Sequence, residues 1–223
     1  MSKIYATNHY KLIDQIVLKK RKEMLEVIKK NLIKDQIKDA IDIGSTEDKD
    51  NKSSNYIIKN LYHIPKIRSL SDQIINDKFF FKSIQKSITD DFSDNEISNI
   101  KSDLAISNAT IEHVGSFENQ IKMIQNTILL TKKVFIITTP NRFHPIEFHT
   151  KLIFLHWLPK KIFQNICKFL RLNFFSYEEN LNLLSKKDLI NLMKLSNFSN
   201  YKIYSIKLFG FVSNYILIGR LKN

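Results

Sequence analysis

The stretch Val134-Phe135-Ile136-Ile137-Thr138 limits the choice of fold more than any other in this chain. Four consecutive positions are apolar, three of them β-branched, and Pro140 stops the run. A strand without a polar face must be covered on both sides, as in a parallel sheet flanked by helices. Ala40-Ile41-Asp42-Ile43 and Leu104-Ala105-Ile106-Ser107 have the same character and read as further strands. Ile67-Arg68-Ser69-Leu70 is a plausible fourth, and Ser87-Ile88-Thr89 a short fifth. Between the strands, apolar residues recur at three- and four-residue steps, the pattern of helices with one buried face.

The first such helix is expected over residues 8–34, with Leu12, Ile16, Met24, Ile28 and Leu32 inward and Lys19, Lys20, Arg21 and Lys22 in water. A short helix is expected over 55–61, capped by Ser53 or Ser54. Ser116 caps another, striped with Phe117, Ile121, Ile124 and Ile128, and Ser185 caps the last, which carries Leu189, Leu192 and Met193. Residues 142–175 are aromatic, basic and helix-like, broken by Pro145 and Pro159. Two closing strands, 201–208 and 211–219, turn around Gly210, and so short a link makes them antiparallel. The expected fold is α/β: a doubly wound, mostly parallel sheet with a C-terminal antiparallel strand pair. Residues 1–223 form a single domain in this reading, with 142–184 as a helical lid or insertion.

Composition narrows the partners. The net charge of +13 points to an anionic partner, but the lysines are spread along the chain and no Arg-rich block stands out, so nucleic acid is not expected. Cys167 is the single cysteine, which excludes an intrachain disulfide and a cysteine-based metal cluster. Met1-Ser2-Lys3-Ile4-Tyr5 has no apolar core of a secretory signal, and no apolar run reaches spanning length, so a cytoplasmic setting is expected.

The candidate site begins at Ile43-Gly44, where a strand ends and a polar loop opens. In open α/β sheets ligands bind at the carboxyl ends of strands. Gly44 either permits a tight turn and close approach of a ligand, or simply ends the strand. His113, His144 and His149 are the candidates for a general base, since imidazole titrates near neutrality. His144, Glu147 and His149 do not share a helix face and Pro145 interrupts them, so no metal is expected there.

Taken in order, these residues resemble a class I S-adenosylmethionine-dependent methyltransferase. Ile41-Asp42-Ile43-Gly44 is similar to the start of that family's cofactor loop. Asp72 stands where the family has an acid after strand 2. Ser107-Asn108-Ala109-Thr110-Ile111-Glu112-His113-Val114 resembles the segment after strand 4, and Thr138-Thr139-Pro140-Asn141 the end of strand 5. One departure is plain: the family usually has three spaced glycines in the first loop, and here Ser45, Thr46 and Glu47 follow Gly44.

The resemblance implies S-adenosyl-L-methionine as cofactor, held by Asp42, Gly44, Ser45, Thr46, Asp72, Asp90, Ser107 and Asn108. Asp72 would take the ribose hydroxyls and Asp90 the adenine amino group. His113 would be the catalytic base, and Asn141, Arg142, His144 and His149 would contact the substrate. The expected acceptor is a small molecule, free or on a glycan or lipid. The run at 151–175 reads as a lid, or as an amphipathic patch resting on a membrane, with the lid preferred. The rival readings are a scaffold of this fold that has lost its cofactor and binds a partner and, ranked last, an RNA-binding methyltransferase suggested by the basic charge.

Overall fold

The computed structural model describes residues 11–47, 52–61 and 63–221. The expected start of the first helix at residues 8–10, the side chain of Leu12 and the loop residues 48–51 lie outside the described residues.

Helix α1 (Lys11–Leu32) leads into β1 (Asp39–Ile43), the short α2 (Tyr56–Lys59), β2 (Lys66–Ser71) and β3 (Lys82–Gln85). Then come α3 (Asp94–Ile100), β4 (Ser102–Asn108), α4 (Phe117–Leu129) and β5 (Thr131–Pro140). The chain ends with α5 (Lys160–Phe169), α6 (Lys186–Leu195), β6 (Tyr201–Leu208) and β7 (Phe211–Arg220). The strands form one seven-stranded sheet in the order β3-β2-β1-β4-β5-β7-β6. Only β7 runs against its neighbours, pairing antiparallel with β5 and with β6.

The period-2 alternation of the strands feeds two cores. Ala40, Leu104, Ile106, Val134 and Ile136 meet Met24, Leu25 and Ile28 of α1 on one face. Ile41, Ala105, Phe135 and Ile137 meet Met123 and Ile124 of α4 and Leu189 and Leu192 of α6 on the other. Phe135 fits because Gly219 stands opposite it in register: a Cβ there would overlap the ring. A smaller cluster of Phe163, Cys167, Leu181 and Leu183 lies under the segment after β5.

Three local expectations need correction. The third strand is Lys82–Gln85 and not Ser87-Ile88-Thr89, whose residues are drawn into a turn by Ser87 N–H donating to Asp90 Oδ2 at 3.1 Å. Neither Ser53 nor Ser54 caps α2; Asn55 precedes it in the left-handed conformation, with no side-chain cap bond. Residues 142–175 are less helical than expected, holding α5 and two 3-10 turns, Leu155–Trp157 and Asn173–Ser176. The caps at Ser116 and Ser185 form as expected, the second as a reciprocal capping box with Asp188. Among the described residues no helix is long and apolar enough to cross a membrane.

Candidate active site

The carboxyl ends of β1, β2 and β4 open on a cavity of about 1390 Å³. It lies where the strand order reverses, with β1 between β2 and β4. A site for one small ligand occupies roughly 300–1,000 Å³, so this cavity has room for more than one. Helix α1 contributes Ile13, Val17 and Arg21 to its wall, and the segment after β5 contributes Phe148, His149 and Phe175.

Alternation along β1 turns Asp42 toward the α1 face, and the side chain is buried. Ser45 Oγ donates to its Oδ2 at 2.5 Å. Burial pushes the Asp42 carboxyl up to about 7, against the opposing pull of Ser45, Lys59 and Arg21. The loop that follows is held by side chains. Ser71 Oγ donates to the Ser45 carbonyl at 2.8 Å. Asn55 accepts from Thr46 N–H at 3.0 Å and donates to the Thr46 carbonyl at 2.8 Å. Gly44 has φ +83°, and a Cβ there would run into the Thr110 side chain. Asp72, just past β2, is exposed on the cavity wall and makes no hydrogen bond or ion pair among the described residues.

The 3-10 turn after β4, Ile111–His113, carries the most enclosed acid. Glu112 is 0% exposed; Thr139 Oγ1 donates to its Oε2 at 3.0 Å, and its Oε1 accepts no hydrogen bond from the described residues. His113 Nδ1–H donates to the Asn180 carbonyl at 2.6 Å. Burial, helped by His149, holds the His113 ring down to about 3. So weakly basic a ring is poorly matched to the general-base role read from the sequence, which calls for a value near the working pH. His149 Nδ1–H donates to Glu147 Oε1 at 2.6 Å. Burial disfavours its charge, but Glu147 outweighs burial and raises the ring. Rings of His113 and His149 meet edge to face with centroids 4.9 Å apart.

The cavity thus gathers Asp42, Gly44, Ser45, Thr46, Asp72, Asn108, His113 and His149. It does not gather Asp90, Ser107, Asn141, Arg142 or His144. Asp90 bonds back to Ser87 and leaves the wall to Ser87 and Thr89. Ser107 is buried within β4. Asn141 is a structural link, donating to the Val212 carbonyl at 2.8 Å. Arg142 donates to the Leu158 carbonyl at 3.1 Å, and His144 turns its Nδ1 to its own loop at Ile146.

No protein-family model matches the chain, and no curated protein matches it. Solved structures do. Magnesium protoporphyrin IX methyltransferase from Synechocystis PCC 6803, crystallised with SAH, superposes with a TM-score of 0.59 at 10% identity, covering 99% of this chain and 92% of that one. The N-methyltransferase NodS from Bradyrhizobium japonicum WM9 gives 0.53 at 6% identity, covering 91% and 96%. A SAM-dependent methyltransferase from Archaeoglobus fulgidus gives 0.51 at 11% identity, covering 90% and 94%. The chain has the class I methyltransferase fold.

Two cavity residues of this methyltransferase fold escape a reading by periodicity. Arg21 falls on the polar stripe of α1, yet it reaches the cavity and donates to the Ser53 carbonyl. Burial lowers its guanidinium to about 10, opposed by Glu112 and Asp42. Glu112 was legible only as a neighbour of His113, although its apolar flank at Ile111 marked an inward turn.

Proposed function

We propose that this chain is an S-adenosylmethionine-dependent methyltransferase whose acceptor is a small molecule, free or carried on a glycan or lipid. The observation that carries this reading is Asp72: an unpartnered carboxylate on the cavity wall, at the end of the strand beside β1. A carboxylate only accepts hydrogen bonds, so it suits a pair of ribose hydroxyls. The cavity volume and the donor set fit the cofactor, and neighbours of the same fold were crystallised with SAM or SAH. When bound, the cofactor supplies an electrophilic methyl group on a sulfonium. The chain's own work is then positioning. Asp72 holds the ribose, Asp42 keeps Ser45 and the loop in place, and Asn108 lines the acceptor side with His113 and His149.

Calorimetry with S-adenosylmethionine and S-adenosylhomocysteine tests the reading. Both should bind, and Asp72→Asn should weaken them about 10- to 100-fold, the loss of one charge-assisted hydrogen bond. Its melting temperature should stay unchanged because the side chain is exposed. No heat at millimolar concentrations of either compound would sink the enzyme reading and favour the partner-binding scaffold.

A lipid-linked acceptor draws support from one surface. Ile153, Phe154, Trp157 and Ile162 are 57%, 51%, 41% and 48% exposed, next to exposed Lys160 and Lys161. Aromatic and aliphatic side chains beside lysines suit an anionic membrane surface. The protein should therefore sediment with anionic vesicles, less so with Phe154→Ala/Trp157→Ala, and not with neutral ones. Recovery in the supernatant with both vesicle types would leave the segment as a cover and the acceptor as a soluble compound.

A further inference from the structure

Glu112, His113 and His149 each offer one ligand atom, and these atoms lie within 4.8 Å of one another. Spacing along the chain hides this trio, because His149 arrives from the segment after β5. Each imidazole is already oriented from behind. His113 Nδ1–H is held by the Asn180 carbonyl and His149 Nδ1–H by the Glu147 carboxylate, both at 2.6 Å. Each bond sets the tautomer, with the proton on Nδ1. Metal-binding histidines are typically held this way, by a carbonyl or carboxylate on the other nitrogen. Glu147 is itself fixed by Thr150, whose hydroxyl donates to Oε2 at 2.7 Å.

Glu112 supplies an independent sign of a ligand. Its Oε2 is occupied by Thr139, but Oε1 is fully buried and accepts no hydrogen bond from the described residues. Buried carboxylate oxygens are ordinarily satisfied, so an orphan one calls for a partner. A shared proton between Glu112 and His149 is not that partner, since Oε1 bonds to neither ring. Among the described residues Arg21 is the cation facing the cluster, and Glu147 and Asp42 offset it.

We propose that Glu112, His113 and His149 bind a divalent first-row transition-metal ion whose open positions face the cavity. Two imidazoles and one carboxylate are a recurrent ligand set for such ions, with sites left for water or substrate. Bonds of about 2.1 Å place ligand atoms about 3.4 Å apart, so the three groups draw in on binding. An open position would hold and acidify an acceptor oxygen, a hydroxyl or a phenol. That second part rests on the methyltransferase reading; the binding of the ion does not.

The test is a cobalt(II) titration of the metal-free full chain, followed by visible absorption. One equivalent should bind with d–d bands. His149→Ala should weaken binding at least 100-fold. Glu147→Gln, which alters only the group behind the ligand, should weaken it about 10- to 100-fold. His144→Ala, outside the trio, should bind as the parent does. Melts of the metal-free variants verify folding, and Glu147→Gln keeps the test valid if His149→Ala does not fold. Absence of binding at millimolar cobalt, or equal binding by parent, His149→Ala and Glu147→Gln, overturns the proposal. Calorimetry of the metal-free chain with S-adenosylhomocysteine separates the two readings: heat there with no cobalt binding removes the metal and leaves the methyltransferase.

Discussion

Replacing Asp42 with asparagine is expected to raise the unfolding free energy above pH 7 by about 2 to 4 kcal/mol, and to change it little near pH 4. The cause is burial, which pushes the carboxyl from 3.8 up to about 7. The folded chain therefore holds a proton that the unfolded chain releases at lower pH. A group raised in this way contributes its stability fully below the unfolded value, near 4. That stability is lost as the pH climbs toward 7 and is gone above it. The full difference is about 4 kcal/mol; an asparagine amide that must find its own partner beside Ser45 takes back some of this. Urea unfolding of both proteins at pH 5, 6, 7 and 8 reads the effect. The parent curve should fall with pH more steeply than the variant curve. Parallel curves would mean that Asp42 is ionised when folded, through a stronger hold by Arg21 or Lys59 than burial can oppose.

The mostly parallel sheet and its core were open to a reading from pattern because the sheet is buried on both faces. Val134 to Thr138, Leu104 to Ser107 and Ala40 to Ile43 could not be stable anywhere else. Caps at Ser116 and Ser185 were equally readable, since they rest on local hydrogen bonds. Ser87-Ile88-Thr89 misled because three β-branched or polar residues look like a strand until Asp90 bends them into a turn. The helix at Asp94–Ile100 had its sign in Ser93 and Glu96, a capping box three residues apart. The site was harder. Asp42, Asp72 and His113 sit at strand ends, where topology alone puts them near a ligand. Arg21 and the meeting of His149 with Glu112 depend on how α1 and the segment after β5 fold over the sheet, which no spacing encodes.

Gly44→Ala is expected to cost about 2 to 5 kcal/mol, large enough to threaten a marginal domain. Two separate effects add. The residue has φ +83°, a region that costs a non-glycine residue roughly 1–2 kcal/mol. A Cβ there would also overlap Thr110 Oγ1 and lie 2.5 Å from Thr110 Cγ2, and overpacking of this kind costs roughly 1–3 kcal/mol. A double-mutant cycle separates them. Adding Thr110→Gly to Gly44→Ala should recover the packing share and leave the backbone share, whereas complete recovery would mean that strain at residue 44 is negligible. The same geometry accounts for the loop's lack of further glycines. Among its described residues Ser45, Thr46 and Glu47 have no positive φ, and Asn55 takes the left-handed position instead. The path therefore accommodates side chains, and Asp42, Ser71 and Asn55 hold it where glycine-rich loops rely on backbone freedom.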